Sequence, residues 1–164
     1  MQAIMKDDTT TSALKAGQTI QLVTFRIGEE EFGIDIAMIQ EVNRKVAITA
    51  VPNSADYIEG IINLRGCIIP VINMRKRMKL PIIKDEGSER IIVVEAGATV
   101  GMLVDSVSEV LRVSCGMVEP VPPVGRSEGA SIVGVVKLDS RLLLLMDVHS
   151  IVGQQEHIQA LSDN

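Results

Sequence analysis

Aromatic side chains are nearly missing from this sequence: two phenylalanines, one tyrosine and no tryptophan among 164 residues. The core must therefore be built from Ile, Val, Leu and Met, and the stiff β-branched members of that set favour strands. The scarcity also removes the stacking platforms that single-stranded bases require. Positive charge is short as well. With a net charge of −5, the chain lacks the phosphate neutralisation that supplies most nucleic-acid affinity. Histidine and cysteine are equally sparse, at two each. His149 and His157 lie near the C-terminus. A histidine base needs a nucleophile and an orienting acid, and no motif supplies them. Cys67 and Cys115 form no CxxC pair, which argues against a metal site or a disulfide framework. Cys67 reads as a small buried hydrophobe in an apolar run; Cys115, beside Gly116, fits either a buried or an exposed place. No glycine-rich phosphate loop is present. These absences point away from an enzyme and imply no cofactor. Long apolar runs are missing too: Leu142–Met146 falls far short of the ~18 residues that suggest a bilayer span. The polar N-terminus lacks the apolar centre of a signal peptide. The expectation is a soluble cytoplasmic protein with no membrane insertion of its own.

What the chain does have is aliphatic material, 46% hydrophobic residues, in short segments punctuated by turns. Residues 1–17 read as a flexible tail, residues 18–152 as one domain and residues 153–164 as a C-terminal tail. Strand-like segments run over 21–27, 32–34, 57–64, 67–72, 90–95, 100–104, 107–113, 132–138 and 141–146. Asp35 is placed to cap one helical turn over Ile36–Ile39. Arg65 and Gly66 form a two-residue hairpin turn that calls for positive φ. Asn73–Met78 reads as a short basic helix, and Arg75, Lys76, Arg77 and Lys79 form either a solvated basic face or a contact for an anionic partner. Residues 119–131 carry three of the six prolines and form an extended loop. Short, closely spaced strands of this kind build barrels or sandwiches.

An internal repeat organises these segments. Phe32–Val42 aligns with Val100–Val110, matching Gly33 with Gly101, Glu41 with Glu109 and Val42 with Val110. Gly60–Met74 then aligns without gaps on Gly134–Val148, matching Gly60 with Gly134 and Leu64 with Leu138. Two matches in the same order imply two half-chains with one strand plan. A half of about 65 residues is marginal for burying its own core, so the halves must pack together. The expected subdomains are residues 18–86 and 87–152. A groove between two such units, lined by Ile, Val and Met, suits an amphipathic helix.

The residues carrying this plan resemble the CheW family of chemotaxis coupling proteins: Gly33–Ile36, Gln40–Val42, Gly60 with Asn63–Gly66, Val71–Met74 and, in the second half, Val100–Val110. The resemblance spans residues 18–152 and keeps the motif order. It implies an all-β fold of two SH3-like five-stranded β-barrels related by pseudo-symmetry, with short helices. It also implies a non-enzymatic scaffold; the free protein is expected to be a monomer with weak self-association. Such a scaffold binds the cytoplasmic tip of methyl-accepting chemoreceptors and the regulatory domain of the histidine kinase CheA, at membrane-bound receptor arrays. The motif match assigns receptor contacts to Ile36, Ile39, Glu41, Val42, Arg65, Val100, Gly101, Met102, Val104 and Val107. Core packing is the competing reading for the apolar members, a solvated turn for Arg65 and an internal ion pair for Glu41. Kinase contacts fall on Val46, Ile48, Ile68 and Pro70, with a second contact near Pro122 and Val124. That last loop has no aromatic anchor of the kind that dominates many interfaces.

Three other readings fit parts of the sequence. One is a coupling protein of a non-flagellar pathway serving pili or surface sensing, which the residues do not separate from the first. Another is a fragment of the kinase or of a receiver-bearing coupling protein, against which the polar tails at both ends weigh. The third is an RNA-binding double barrel, opposed by the net charge and the lack of aromatics.

Overall fold

The computed structural model describes residues 17–83, 87–121 and 132–152. Eleven strands are assigned there: β1 Thr19–Ile27, β2 Glu30–Asp35, β3 Ile39–Arg44, β4 Ile58–Leu64, β5 Cys67–Asn73, β6 Arg90–Glu95, β7 Thr99–Val104, β8 Ser106–Ser114, β9 Val118–Glu119, β10 Ile132–Lys137 and β11 Leu142–Met146. A short helix, α1, covers Met74–Arg77, and residues 148–152 are helical. Local chemistry sets the boundaries as the sequence predicts. The Asp35 side chain accepts from the Ala37 N–H at 2.9 Å and starts a 3-10 turn over Ile36–Met38. The Asn73 side chain caps α1 by accepting from Lys76 N. At the β4–β5 turn, Arg65 and Gly66 take φ of 53° and 89°, the left-handed pair that a tight hairpin turn needs.

The strands form two sheets, ordered β8-β1-β2-β11-β10-β9 and β3-β6-β7-β5-β4. Both curl shut. β8 and β9 are one stretch of chain interrupted by a 3-10 turn at Cys115–Met117, so the outer strands of the first sheet are joined. In the second, the chain beyond β3 returns at Thr49, which exchanges hydrogen bonds of 2.9 and 2.8 Å with Ile61 on β4. The result is two five-stranded barrels: barrel I from β3, β4, β5, β6 and β7, and barrel II from β1, β2, β8/β9, β10 and β11.

The repeat is visible in the irregularities as well as in the strands. Barrel I has bulges between Ile39 and Glu41 and between Ile58 and Gly60. Barrel II has them opposite Ser108, between Glu109 and Val107, and between Ile132 and Gly134. These are aligned positions of the repeat. Gly60 and Gly134 explain one pair. A Cβ on Gly60, whose φ is 153°, would lie 2.2 Å from the Thr49 carbonyl oxygen, and a Cβ on Gly134 would lie 2.8 Å from Val118. Each glycine lets the closing strand of its own barrel approach.

The barrels do not divide the chain at residue 86, which corrects the expected boundary between 18–86 and 87–152. The β1–β2 hairpin closes barrel II through β1–β8 and the parallel β2–β11 pair. The β6–β7 hairpin closes barrel I through β3–β6 and the parallel β5–β7 pair. Each half lends its partner a hairpin. Period-two patterning shows that a strand has a buried face but does not name the strand beside it.

Three apolar clusters follow from this exchange. Ile62, Ile69, Val71, Ile91, Val93 and Leu103 fill barrel I. Ile20, Leu22, Val113, Val136, Leu143 and Leu145 fill barrel II. The largest cluster is the seam between barrels, where the other faces of the lent hairpins meet: Phe25, Ile27, Phe32 and Ile34 against Val94, Val100, Met102 and Val104, with Met74 and Ile151. Full burial contributes about 1.5–3 kcal/mol per large aliphatic or aromatic side chain. A polar clasp reinforces the seam. Arg75 on α1 donates from Nε and Nη2 to Asp105 at 2.9 and 2.7 Å. Asp105, at the β7–β8 crossing, also accepts from Gly28 N at 2.9 Å.

Candidate partner-binding site

The open end of barrel I gathers most of the exposed site candidates. β3 emerges from the 3-10 turn and bulges at Gln40, which displaces Glu41 and Val42 along the edge of the sheet. The β4–β5 turn swings towards it. Arg65 donates from Nη1 and Nη2 to the two Glu41 carboxylate oxygens at 2.5 and 2.8 Å. Asn43 adds a third donor to Glu41 at 3.0 Å. The Arg65 bonds, followed by the Asn43 bond, pull the Glu41 pKa down to about 2. The turn is itself fixed, because Asn63 Oδ1 accepts from Gly66 N at 2.8 Å.

This ion pair borders a concavity of about 500 Å³ that also includes Gln40, Cys67, Ile68 and the β6–β7 turn. A second concavity of about 350 Å³ lies on the other side of Ile68, against Val46, Thr49 and Ile61. Ile68 separates the two and is 60% exposed, a large apolar side chain held in water at a built edge. Val42 and Val46 are also exposed, as is Ile36 at the 3-10 turn. Ile39 and Val107 are half-buried and pack on the rim of the seam. Ile48 is half-buried beside the barrel I core.

Other residues named from sequence stand elsewhere. Val100, Met102 and Val104 are 0–1% exposed in the seam, and Gly101 is buried where a Cβ would lie 2.9 Å from Ile91. These four belong to the core, because the expected groove between the barrels is filled by the lent hairpins. Pro70 is buried in β5 and presents no side chain to a kinase. Pro122 and Val124 lie outside the described residues. Cys67 is exposed, contrary to its reading as a buried hydrophobe, and Cys115 is buried. Arg65 is exposed, but its two terminal nitrogens are already engaged by Glu41, so the two residues act as a unit. Sequence reasoning gave no site role to Asn43, nor to Gln40 and Asn63, which it quoted only within motifs. The last was recoverable from its place two residues before a positive-φ turn arginine.

Barrel II carries a counterpart of the pair. Glu109, aligned with Glu41, accepts from Arg141 Nη2 at 2.8 Å, and Arg141 Nε reaches Glu31 at 2.9 Å. Val110 and Leu142, aligned with Val42 and Ile68, are exposed in the same way.

Among the described residues no group of histidines, cysteines and acids could hold a metal, and no helix is long and apolar enough to cross a membrane. Comparison with known proteins agrees with the architecture. Residues 21–156 match the model of the CheW-like domain. The chain is 33% identical over 153 residues to the chemotaxis protein CheW of Klebsiella aerogenes, covering 91% of each chain. It is 30% identical over 155 residues to the CheW of Bacillus subtilis, covering 93% of this chain and 98% of the relative. The crystal structure of the scaffolding protein TtCheW from Thermoanaerobacter tengcongensis superposes with a TM-score of 0.75 at 38% identity, over 79% of this chain and 90% of that one. The chain belongs to the CheW-like domain family, a family of chemotaxis scaffolds rather than enzymes.

Proposed function

We propose that this scaffold couples methyl-accepting chemoreceptors to the histidine kinase CheA, working in the cytoplasm at membrane-bound receptor arrays. The observation that carries the reading is the end of barrel I. There a preformed Glu41–Arg65 pair stands beside exposed Val42 and Ile68, between two shallow concavities. A helix with apolar residues on one face and a charged flank complements such an edge. The receptor tip takes Ile36, Ile39, Glu41, Val42, Arg65 and Val107. The kinase regulatory domain takes Val46, Ile48 and Ile68 across the second concavity. Ile68 borders both, so the two partners meet at one end of one barrel, a geometry fit for coupling.

The test is a three-component binding measurement with a soluble receptor cytoplasmic fragment and the kinase regulatory domain, separately and together. Binding to each, with a ternary complex, is the expected result. Binding to neither, at low and at physiological salt, would overturn the coupling role while leaving the fold untouched.

A further inference from the structure

The basic helix α1 carries three cations, Arg75, Lys76 and Arg77, with Lys79 just beyond it, and their fates differ. Arg75 is neutralised by Asp105. Lys76 faces Glu59 at 3.5 Å, where Asn73 also donates to the same carboxylate oxygen at 3.0 Å. Lys79 is exposed. Arg77 is the exception. It is 9% exposed, its guanidinium carbon lies 5.0 Å from the centre of the Tyr57 ring, and its Nε is buried with no hydrogen-bond partner. No carboxylate among the described residues pairs with it. Buried cations are ordinarily paired and hydrogen-bonded; here stacking on an aromatic face supplies only part of that compensation.

We propose that the Arg77 guanidinium, stacked on Tyr57, is a docking point for a carboxylate carried by an acidic segment of a partner protein. The planar fork of arginine suits a carboxylate, and its rigid placement against the ring removes much of the entropy cost of ordering it. Glu59 does not fill the role, because its Oε1 is held by Asn73 and Lys76. Lys79 places a second positive charge two residues on, in a chain whose overall charge is −5. Arg77 and Lys79 are the cations of this stretch that no carboxylate among the described residues holds, and an acidic segment complements them. The site is separate from the end of barrel I and does not depend on the partner assignments made there.

The experiment is an NMR titration of the full chain with a short end-blocked glutamate peptide, following the arginine Nε–H and tyrosine ring signals. A glutamine peptide of equal length is the control. The expected result is a saturable shift at Arg77 and Tyr57 with glutamate alone, weakened about tenfold or more in Arg77→Gln and partly retained in Arg77→Lys. No saturable shift, or the same shift with glutamine, would overturn the proposal. So would a response that appears only when Glu156→Gln and Asp163→Asn are introduced, since the chain's own tail would then be the occupant. Should Arg77→Gln unfold, the wild-type titration against its control still decides.

Discussion

Arg65 and Glu41 are joined by two charge-assisted hydrogen bonds, 2.5 and 2.8 Å long, between the tip of one hairpin and the bulged edge of another strand 24 residues away in the chain. The pair ties the β4–β5 turn to the edge of β3 at the open end of barrel I. Arg65→Glu removes the pair and sets two carboxylates against each other at an exposed site. The expected outcome is loss of receptor-fragment binding with an unchanged circular-dichroism spectrum and a cooperative melt lowered by no more than the loss of one exposed pair. The double variant Glu41→Arg with Arg65→Glu rebuilds the pair with its polarity reversed. Recovered binding would show that the pair acts by positioning the edge, and continued loss would show that the partner reads the individual charges. Undiminished binding in Arg65→Glu would remove this end from the receptor site.

Glu41 also gives a pH prediction. Its folded pKa, about 2, lies below the ordinary 4.5, first because of the Arg65 hydrogen bonds and then because of Asn43. A depressed carboxylate pKa means that the unfolded chain binds the proton more readily. The pair's contribution is therefore complete above about pH 4.5 and is lost as pH falls through about 2. A carboxyl NMR titration should place the Glu41 midpoint far below that of an exposed glutamate, and in Arg65→Ala it should move up. A midpoint already near 4.5 in the unaltered protein would mean that the pair does not persist in solution.

Barrel closure predicts which glycines resist substitution. Gly60→Ala puts a methyl group 2.2 Å from the Thr49 carbonyl oxygen at φ 153°, so the Thr49–Ile61 bridge must open or the backbone must shift. Such strain costs about 1–3 kcal/mol. Gly116→Ala, whose Cβ would meet nothing nearer than Ser114 Oγ at 3.6 Å, is the control. Urea unfolding should separate the two clearly, and equal stability would remove the steric account of closure.

Much of this fold was legible in the sequence, and what was hidden has a definable cause. Turns, caps and bulges are local. Asp35, Asn73 and the Arg65–Gly66 turn declare themselves through residue type, and the match of Gly60 with Gly134 already contains the closure device. Strand partnership is not local. Nothing in Phe32–Ile34 or Val100–Val104 says that one hairpin closes the other half's barrel. Both hairpins are buried on two faces, and a two-faced apolar strand reads the same whether its second face meets a partner protein or a neighbouring barrel. The motif match assigned Val100, Met102 and Val104 to a groove that the structure fills, and that ambiguity left core packing as the competing reading.

The exchange of hairpins makes the halves interdependent. Residues 1–86 and 87–164, produced as separate chains, should each lack the cooperative melt of the intact protein, because each barrel then misses a hairpin. Mixed in equal amounts they should reassociate and regain it. A cooperative, monomeric melt from either half alone would contradict the observed pairing of β1 with β8 and of β3 with β6.

Ile68 and Met102 test the distinction between site and core directly. Both carry large apolar side chains in strands of barrel I, and the sequence placed both at partner surfaces. Ile68 is 60% exposed, whereas Met102 is 0% exposed at the seam. Aspartate at position 68 meets water and displaces little packing, so Ile68→Asp should melt as the unaltered protein does while losing the kinase regulatory domain. Aspartate at position 102 would bury a charge without a partner, a cost that unfolds domains of ordinary stability. The milder Met102→Ala should cost about 2–5 kcal/mol through the cavity it leaves. It should weaken both partners only as far as it depletes the folded state, a loss that vanishes when binding is scaled to the folded fraction. Unfolding of Ile68→Asp would place that residue in the core and take the kinase contact away from this edge. Retained folding with undiminished kinase binding would do the same without disturbing the fold.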